Sequence, residues 1–336
     1  MRNLIIDAIK PDDETEIDSR SRRAQLCRHP RHPLANMPIC LLSPAKTLNE
    51  VPCPASVPKT EPRMASHTKS LVAACAKLSA SDIKSLMSVS ADIASLNHTR
   101  FQNFHTNPAK QCAYAFDGPA YKALAIESMT KAQVAFAQQH VRILSGLNGL
   151  LRPLDAIKPY RLEMGTKLKT GGGSNLYEFW GDDICEAIAR DVEALTEDEG
   201  KFVVNVASQE YYKSVGDKRL KALGVAVVTC VFPGPAVYAK GARGAMCRHV
   251  VVNEVTDVEG LKAFVGNDGE WSFSSETKLD DKNMTLTFSR SETKKKARRR
   301  GARRRRRRRR RSRRRLRRRR RVPSERGVAN SRRSRS

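Results

Sequence analysis

The 336-residue chain carries 63 Lys and Arg against 35 Asp and Glu, a formal charge of +28, but the excess is concentrated at one end. Residues 37–290 hold 29 basic and 27 acidic side chains, residues 291–336 hold 27 and 2, and the first 36 residues hold 7 and 6, so the basicity is a tail on a nearly neutral body. No run approaches the ~18 apolar residues of a membrane-spanning helix, and no apolar signal core lies near the start, which points to a cytoplasmic protein that does not enter a membrane.

The head, residues 1–36, mixes "PDDETEID" with a basic stretch; that acidic cluster is unlike a transit peptide. Met37 stands directly before the first strand-like run, so the folded domain is expected over 37–290. Eight cysteines lie at least 13 residues apart and form no C-x-x-C pair. They read as reduced, mostly buried thiols. No histidine in the body is spaced as a metal ligand, and no phosphate-binding glycine loop or dinucleotide fingerprint occurs, so neither metal nor cofactor is expected.

In chain order, an apolar run at 39–42 predicts a strand, which ends in "SPAKTL" (43–48). A helix follows from about 65 to 78, then one over "SDIKSLMSV" capped by Ser79 or Ser81, then one from about 91 to 104. "LMSVSADIA" (86–94) has the apolar and small positions of a helix-hairpin-helix, with Ser88 and Ser90 where that motif has glycines. In such a hairpin the turn points backbone N–H groups at a DNA phosphate; a plain corner between two helices is the other reading. "LSGLNGLL" (144–151) matches the motif less well.

"CAYAF" (112–116) and "HVRILSG" (140–146) read as strands around a helix at 131–139. "LRPLDAIKPYRLEMG" (151–165) is a proline-bearing loop dense in charge: Arg152, Asp155, Lys158, Arg161 and Glu163. Loops that hold several charges on a rigid scaffold commonly carry function, and arginine can grip a phosphate through two parallel hydrogen bonds. Internal ion pairs locking the loop would explain the same residues. Residues 176–195 read as one long amphipathic helix, and 201–208 and 224–232 as strands. "YAKGARGAMCRH" (238–249) opens a helix expected to begin at about 240, with Lys240, Arg243 and Arg248 on its first turns. Cations there oppose the helix dipole, and a bound anion would relieve the repulsion. The end, "EWSFSS" then "NMTLTFSR", predicts a hairpin.

Strands alternating with helices imply a mixed α/β domain with a largely buried sheet. In such sheets ligands sit beyond the carboxyl ends of the strands. Two strands end in hydroxyls and lysine: Ser43, Lys46 and Thr47 after the first, and Asn205, Ser208, Tyr211 and Lys213 after the run at 201–208. These residues, with Lys240 and Arg243, are expected to line one anion-binding cleft, with Arg161 and Glu163 in its wall.

The segments "LLSPAKTL", "AQQHVRILSGLNGLLRPLD", "IKPYRLEMGTKL", "LYEFWGDDI", "VVNVASQEYYKSV" and "YAKGARGAMCRHV" together resemble the YaaA peroxide-stress protein family, from about Met37 to Arg290. The resemblance implies the unusual α/β fold called cantaloupe-like, with a helix-hairpin-helix element. It also implies DNA binding and a role in limiting peroxide damage, including control of free iron. It does not imply catalysis. Should the chain act on nucleic acid, as a glycosidase or an abasic-site lyase, Lys46, Lys213, Tyr211 and Glu163 are the candidates, a lysine forming a Schiff base if neighbouring cations lower its pKa. The head and tail lie outside the family pattern. The arginine-rich tail, 291–336, cannot bury a core and is expected to be disordered, to bind polyanions non-specifically, and to be able to serve as a nuclear address.

Overall fold

The computed structural model describes residues 38–195 and 202–291; Met37, the head and the arginine-rich run lie outside them. β1 (Ile39–Leu42) leads through a proline-rich loop to α1 (Ala65–Ala76), α2 (Ala80–Met87) and α3 (Ala91–Gln102). Then come β2 (Lys110–Gln111), α4 (Cys112–Ala115), α5 (Pro119–Leu124), α6 (Lys131–His140), β3 (Val141–Ser145), β4 (Gly149–Leu151) and β5 (Ala156–Ile157). The second half comprises α7 (Leu176–Trp180), α8 (Asp183–Leu195), β6 (Phe202–Asn205), α9 (Gln209–Tyr212), α10 (Asp217–Ala222) and β7 (Ala226–Val231). It ends with α11 (Ala236–Val252), α12 (Val258–Lys262), β8 (Trp271–Lys278) and β9 (Asn283–Arg290).

Seven strands form one sheet in the order β4-β3-β1-β6-β7-β9-β8. The five from β3 to β9 are parallel, and β4 and β8 close the two edges antiparallel. Every residue of β1 and β3 is buried, which explains the unbroken apolar run of β1; the polar residues of β3, Arg142 and Ser145, are buried with partners, Asp191 and Tyr160. The mixed α/β class follows from this architecture. The chain visits β3 on one side of β1 and later β6 on the other, so the strand order reverses at β1, the kind of point where ligands of such sheets bind beyond the strand ends.

Four sequence expectations differ from what is observed. "CAYAF" is a single helical turn, α4, beyond the two-residue strand β2; its alternation mimicked a strand, while the N–H groups of Cys112 and Ala113 in fact donate to Asp155 and Pro153 carbonyls. The expected helix over 176–195 breaks at Gly181, whose φ of +45° interrupts it between α7 and α8. α11 begins at Ala236 behind Pro235, so Lys240 is its fifth residue and Arg243 its eighth, too far in for the expected dipole conflict to act. "LSGLNGLL" is the β3–β4 hairpin, not a pair of helices.

α2 and α3 do meet at a tight corner. Ser88 takes the left-handed conformation (φ 50°) usually left to glycine, and Ser90 caps α3 by accepting the Ile93 N–H at 3.4 Å. This establishes a two-helix corner. It does not establish a helix-hairpin-helix.

Candidate functional site

β1 and β6 run parallel, with Leu41 opposite Asn205, so the residues that follow them emerge side by side. The Ser208 backbone N–H donates to Ser43 Oγ at 2.8 Å, and the two hydroxyls lie 3.3 Å apart. Tyr121 of α5 donates its hydroxyl to the Ser43 carbonyl at 3.0 Å, fixing the turn from the other side. Ser208 precedes α9 as its N-cap; in α9 Tyr211 is buried beside the Met164 backbone, and Glu210 accepts the Gly165 N–H at 3.0 Å. Burial pushes the Tyr211 phenol well up, so it holds its proton and serves to anchor the loop.

That loop is the charge-dense segment identified in the sequence. It crosses β3 so closely that a Cβ at Gly146 would stand 2.4 Å from the Leu162 carbonyl oxygen; only glycine admits the crossing. The loop delivers Glu163 between two cations, 2.5 Å from Lys46 Nζ and 2.8 Å from Arg161. Since Lys46 is three residues from Ser43, the contacts close a ring: Ser43, Ser208, Tyr211, the 163–165 loop and Lys46.

Arg243 approaches the same end of the sheet from α11. Cys247, one turn further along, lies beside the buried Cys40 of β1, whose thiol pKa it helps to raise, and α11 runs back from the carboxyl ends of the strands. Arg243 therefore lies toward the carboxyl end of β1. Its Nε is buried without a hydrogen-bond partner and no carboxylate among the described residues pairs with it; burial alone holds its pKa below the usual arginine range. Arg161 Nε is orphaned in the same way. Buried cationic donors without acceptors are costly unless something supplies the acceptor.

Other expected site residues serve the fold. Arg152 makes a two-nitrogen contact with the fully buried Asp155 and also donates to the Glu61 carbonyl, which favours the loop-locking reading for that residue. Asn205 is buried, donating to Thr229 and accepting the Ala207 N–H. Arg248 donates to the carbonyls of Leu124 and Ala125, closing the C-terminus of α5. Lys213 lies over the Tyr177 ring, 4.7 Å from its centre. Thr47 and Lys240 are exposed; the Thr47 carbonyl accepts the Asp117 N–H. Ser88 and Ser90 belong to the α2–α3 corner, away from the ring in sequence and contact. Tyr121, which sequence reasoning did not single out, is a further part of the ring; the Gly-Pro at 118–119 that starts its short helix was its only signal.

The Schiff-base reading called for a lysine desolvated among cations. Lys46 has a 55% exposed side chain and a carboxylate at 2.5 Å, and Lys213 is exposed against a ring face. Among the described residues no group of three or more His, Cys, Asp or Glu converges as a metal site, and no helix is long and apolar enough to cross a membrane.

Fold and site together define an α/β protein with one mostly parallel sheet, beyond whose β1 and β6 ends Ser43, Ser208 and the Lys46–Glu163–Arg161 contacts lie together. The chain belongs to the family of the peroxide stress protein YaaA, whose model matches residues 38–277. Two similar proteins are the UPF0246 proteins of Aliivibrio fischeri strains MJ11 and ATCC 700601 / ES114. Each is 42% identical over 270 residues, an alignment covering 76% of this chain and all of the relative.

Proposed function

We propose that this chain is a DNA-binding protein of the peroxide stress response, and that its strand-end crevice receives a backbone phosphate. The observation that carries this reading is Arg243: a half-buried guanidinium with no carboxylate partner among the described residues, lying toward a strand end where Ser43 and Ser208 bring two hydroxyls together. Arg161 adds a second orphaned nitrogen. A phosphate oxygen supplies acceptors for such donors without sequence preference, which suits a protein that shields or handles DNA whatever its sequence. The near-neutral body means that affinity rests on this local patch. Any influence on free iron is then indirect, through the DNA-bound role, since iron sites want clustered His, carboxylate or Cys ligands.

In this reading residues 37–290 are the binding unit, and the tail adds salt-sensitive, non-specific affinity. The test compares fluorescence anisotropy of a labelled duplex, intact or carrying an abasic site, with the full chain and with residues 37–290 alone. The shortened chain is expected to bind at low salt. If only the full chain binds, the arginine run accounts for the whole effect and the crevice reading fails.

A further inference from the structure

A second opening lies on a different face of α11, between α5, the first turns of α11 and the terminal hairpin, with a volume of about 310 Å³. The sequence leaves it empty: α11 presents Gly241, Ala242 and Ala245 to it, and a Cβ built on Gly241 would meet nothing nearer than 4.0 Å. Three successive small residues on one helix face leave a void that larger side chains would fill. Its lining combines apolar surface with a cation stacked on an aromatic ring. Val237 and Tyr238 stand 56% and 37% exposed at its rim, and the buried ring of Trp271 contributes to its wall.

The cation is Arg290, the last residue of β9, opposite Trp271 in the hairpin register. Its guanidinium lies over the Tyr238 ring, 3.8 Å from the centroid. Stacking of this kind fixes the plane of the guanidinium and leaves its edge for a planar oxyanion. The Arg290 Nε is buried and has no hydrogen-bond partner. Lys122, whose side chain is 71% exposed, lines the same opening beside its partner Asp117. Two carboxylates also reach this wall, Asp268 and Glu270, and Glu270 accepts the Asp268 N–H at 2.9 Å. Their presence disfavours a multiply charged anion and favours a small one of low charge.

We infer that this cleft binds a small, flat monoanion, an aromatic carboxylate, its head group on the edge of Arg290 and its ring between Tyr238, Val237 and Trp271. The volume is at the low end of small-molecule sites, enough for one ring and its head group. The site stands apart from the strand-end crevice, and nothing in it depends on DNA binding.

The chain contains two tryptophans, of which Trp180 is fully buried and far from the lining of this cleft. The full chain with ¹⁵N-labelled tryptophan therefore reports on the cleft through one indole resonance, assigned with Trp271→Phe. Titrated with benzoate, the Trp271 resonance is expected to shift saturably while that of Trp180 stays; phenyl phosphate, mostly a dianion at neutral pH, is expected to bind more weakly. A response to phenyl phosphate with none to benzoate would overturn the assignment to a flat carboxylate. Arg290→Met should weaken binding at least tenfold. Gly241→Leu, which fills the cleft and suits a helix, should abolish binding with the remaining spectrum preserved, and Arg243→Met should leave it unchanged. If benzoate leaves the Trp271 resonance unshifted, or if the shift persists in both Arg290→Met and Gly241→Leu, the inference is wrong.

Discussion

Glu163 stands between Lys46 and Arg161, in contact with both at 2.5 and 2.8 Å. A carboxylate so placed occupies the position that a phosphate would take, and it neutralises two cations at the mouth of the crevice. Glu163→Gln removes that charge and keeps the shape. Freed from their partner, the two cations can each contact a phosphate, so the slope of log affinity against log salt for duplex DNA should steepen by about one to two. Binding at low salt should tighten accordingly. An unchanged slope in anisotropy titrations would mean that phosphates do not come here.

Beneath the crevice lies an ion cluster that is structural. Asp191 of α8 accepts two nitrogens of Arg63, at 2.5 and 2.7 Å, and Arg142 Nε of β3 at 2.5 Å. Burial works against the charged Asp191 carboxylate, but the two guanidiniums together hold its pKa below the usual range. Asp191→Asn leaves Arg142, only 4% exposed, without its counter-charge. Removing one partner of a buried ion pair costs about 3–5 kcal/mol, so the urea midpoint should fall steeply with the m-value unchanged. DNA affinity of the folded fraction should hold.

His140 predicts a pH effect on stability. It is 2% exposed, stacked on Phe136 at 4.2 Å. Burial pushes its pKa from 6.5 down to about 4, Arg142 adds to that, and the Pro38 backbone opposes it. The folded state thus favours the neutral ring, and its folded pKa lies below the unfolded one. The stabilisation is complete above pH 6.5 and is lost as the pH falls from 6.5 toward 4, a difference of roughly 3 kcal/mol. Thermal midpoints measured across that window should fall, and His140→Phe should flatten this part of the profile.

The strand ends were legible because buried runs that stop at Ser43 and Asn205 must hand their polar residues to a surface, and a parallel sheet places those surfaces together. The charge loop was legible as a loop because its prolines work against helix, although the two-residue strand β5 within it was not foreseen. What each charge does was less accessible. Arg248 and Arg243 sit five residues apart in one helix and look equivalent in sequence, yet one finds carbonyls 123 and 124 residues away and the other finds none. Local pattern carries no record of such distant acceptors. Likewise Gly181 ends α7 through a backbone angle that a helical hydrophobic period does not encode, and Pro235, a favourable residue at a helix start, was passed over in favour of the glycines that follow it.

That contrast gives the sharpest test of the crevice. Arg243→Met removes a guanidinium whose Nε has no partner in the free protein and keeps most of its apolar stem. Stability should change little or rise, because a partly buried cation without a carboxylate is a cost. DNA affinity should drop several-fold, and the salt slope should become shallower by about one, uniformly across sequences, as expected for a single lost phosphate contact. Arg248→Met should do the reverse. It deprives the α5 carbonyls of their donor, so the chain loses stability, on the order of 1–3 kcal/mol, while the folded protein retains its DNA affinity and salt slope. Urea melts and anisotropy titrations of the two variants separate these outcomes. If both variants lose stability and neither changes the slope, Arg243 belongs to the fold and a phosphate has no seat beside it.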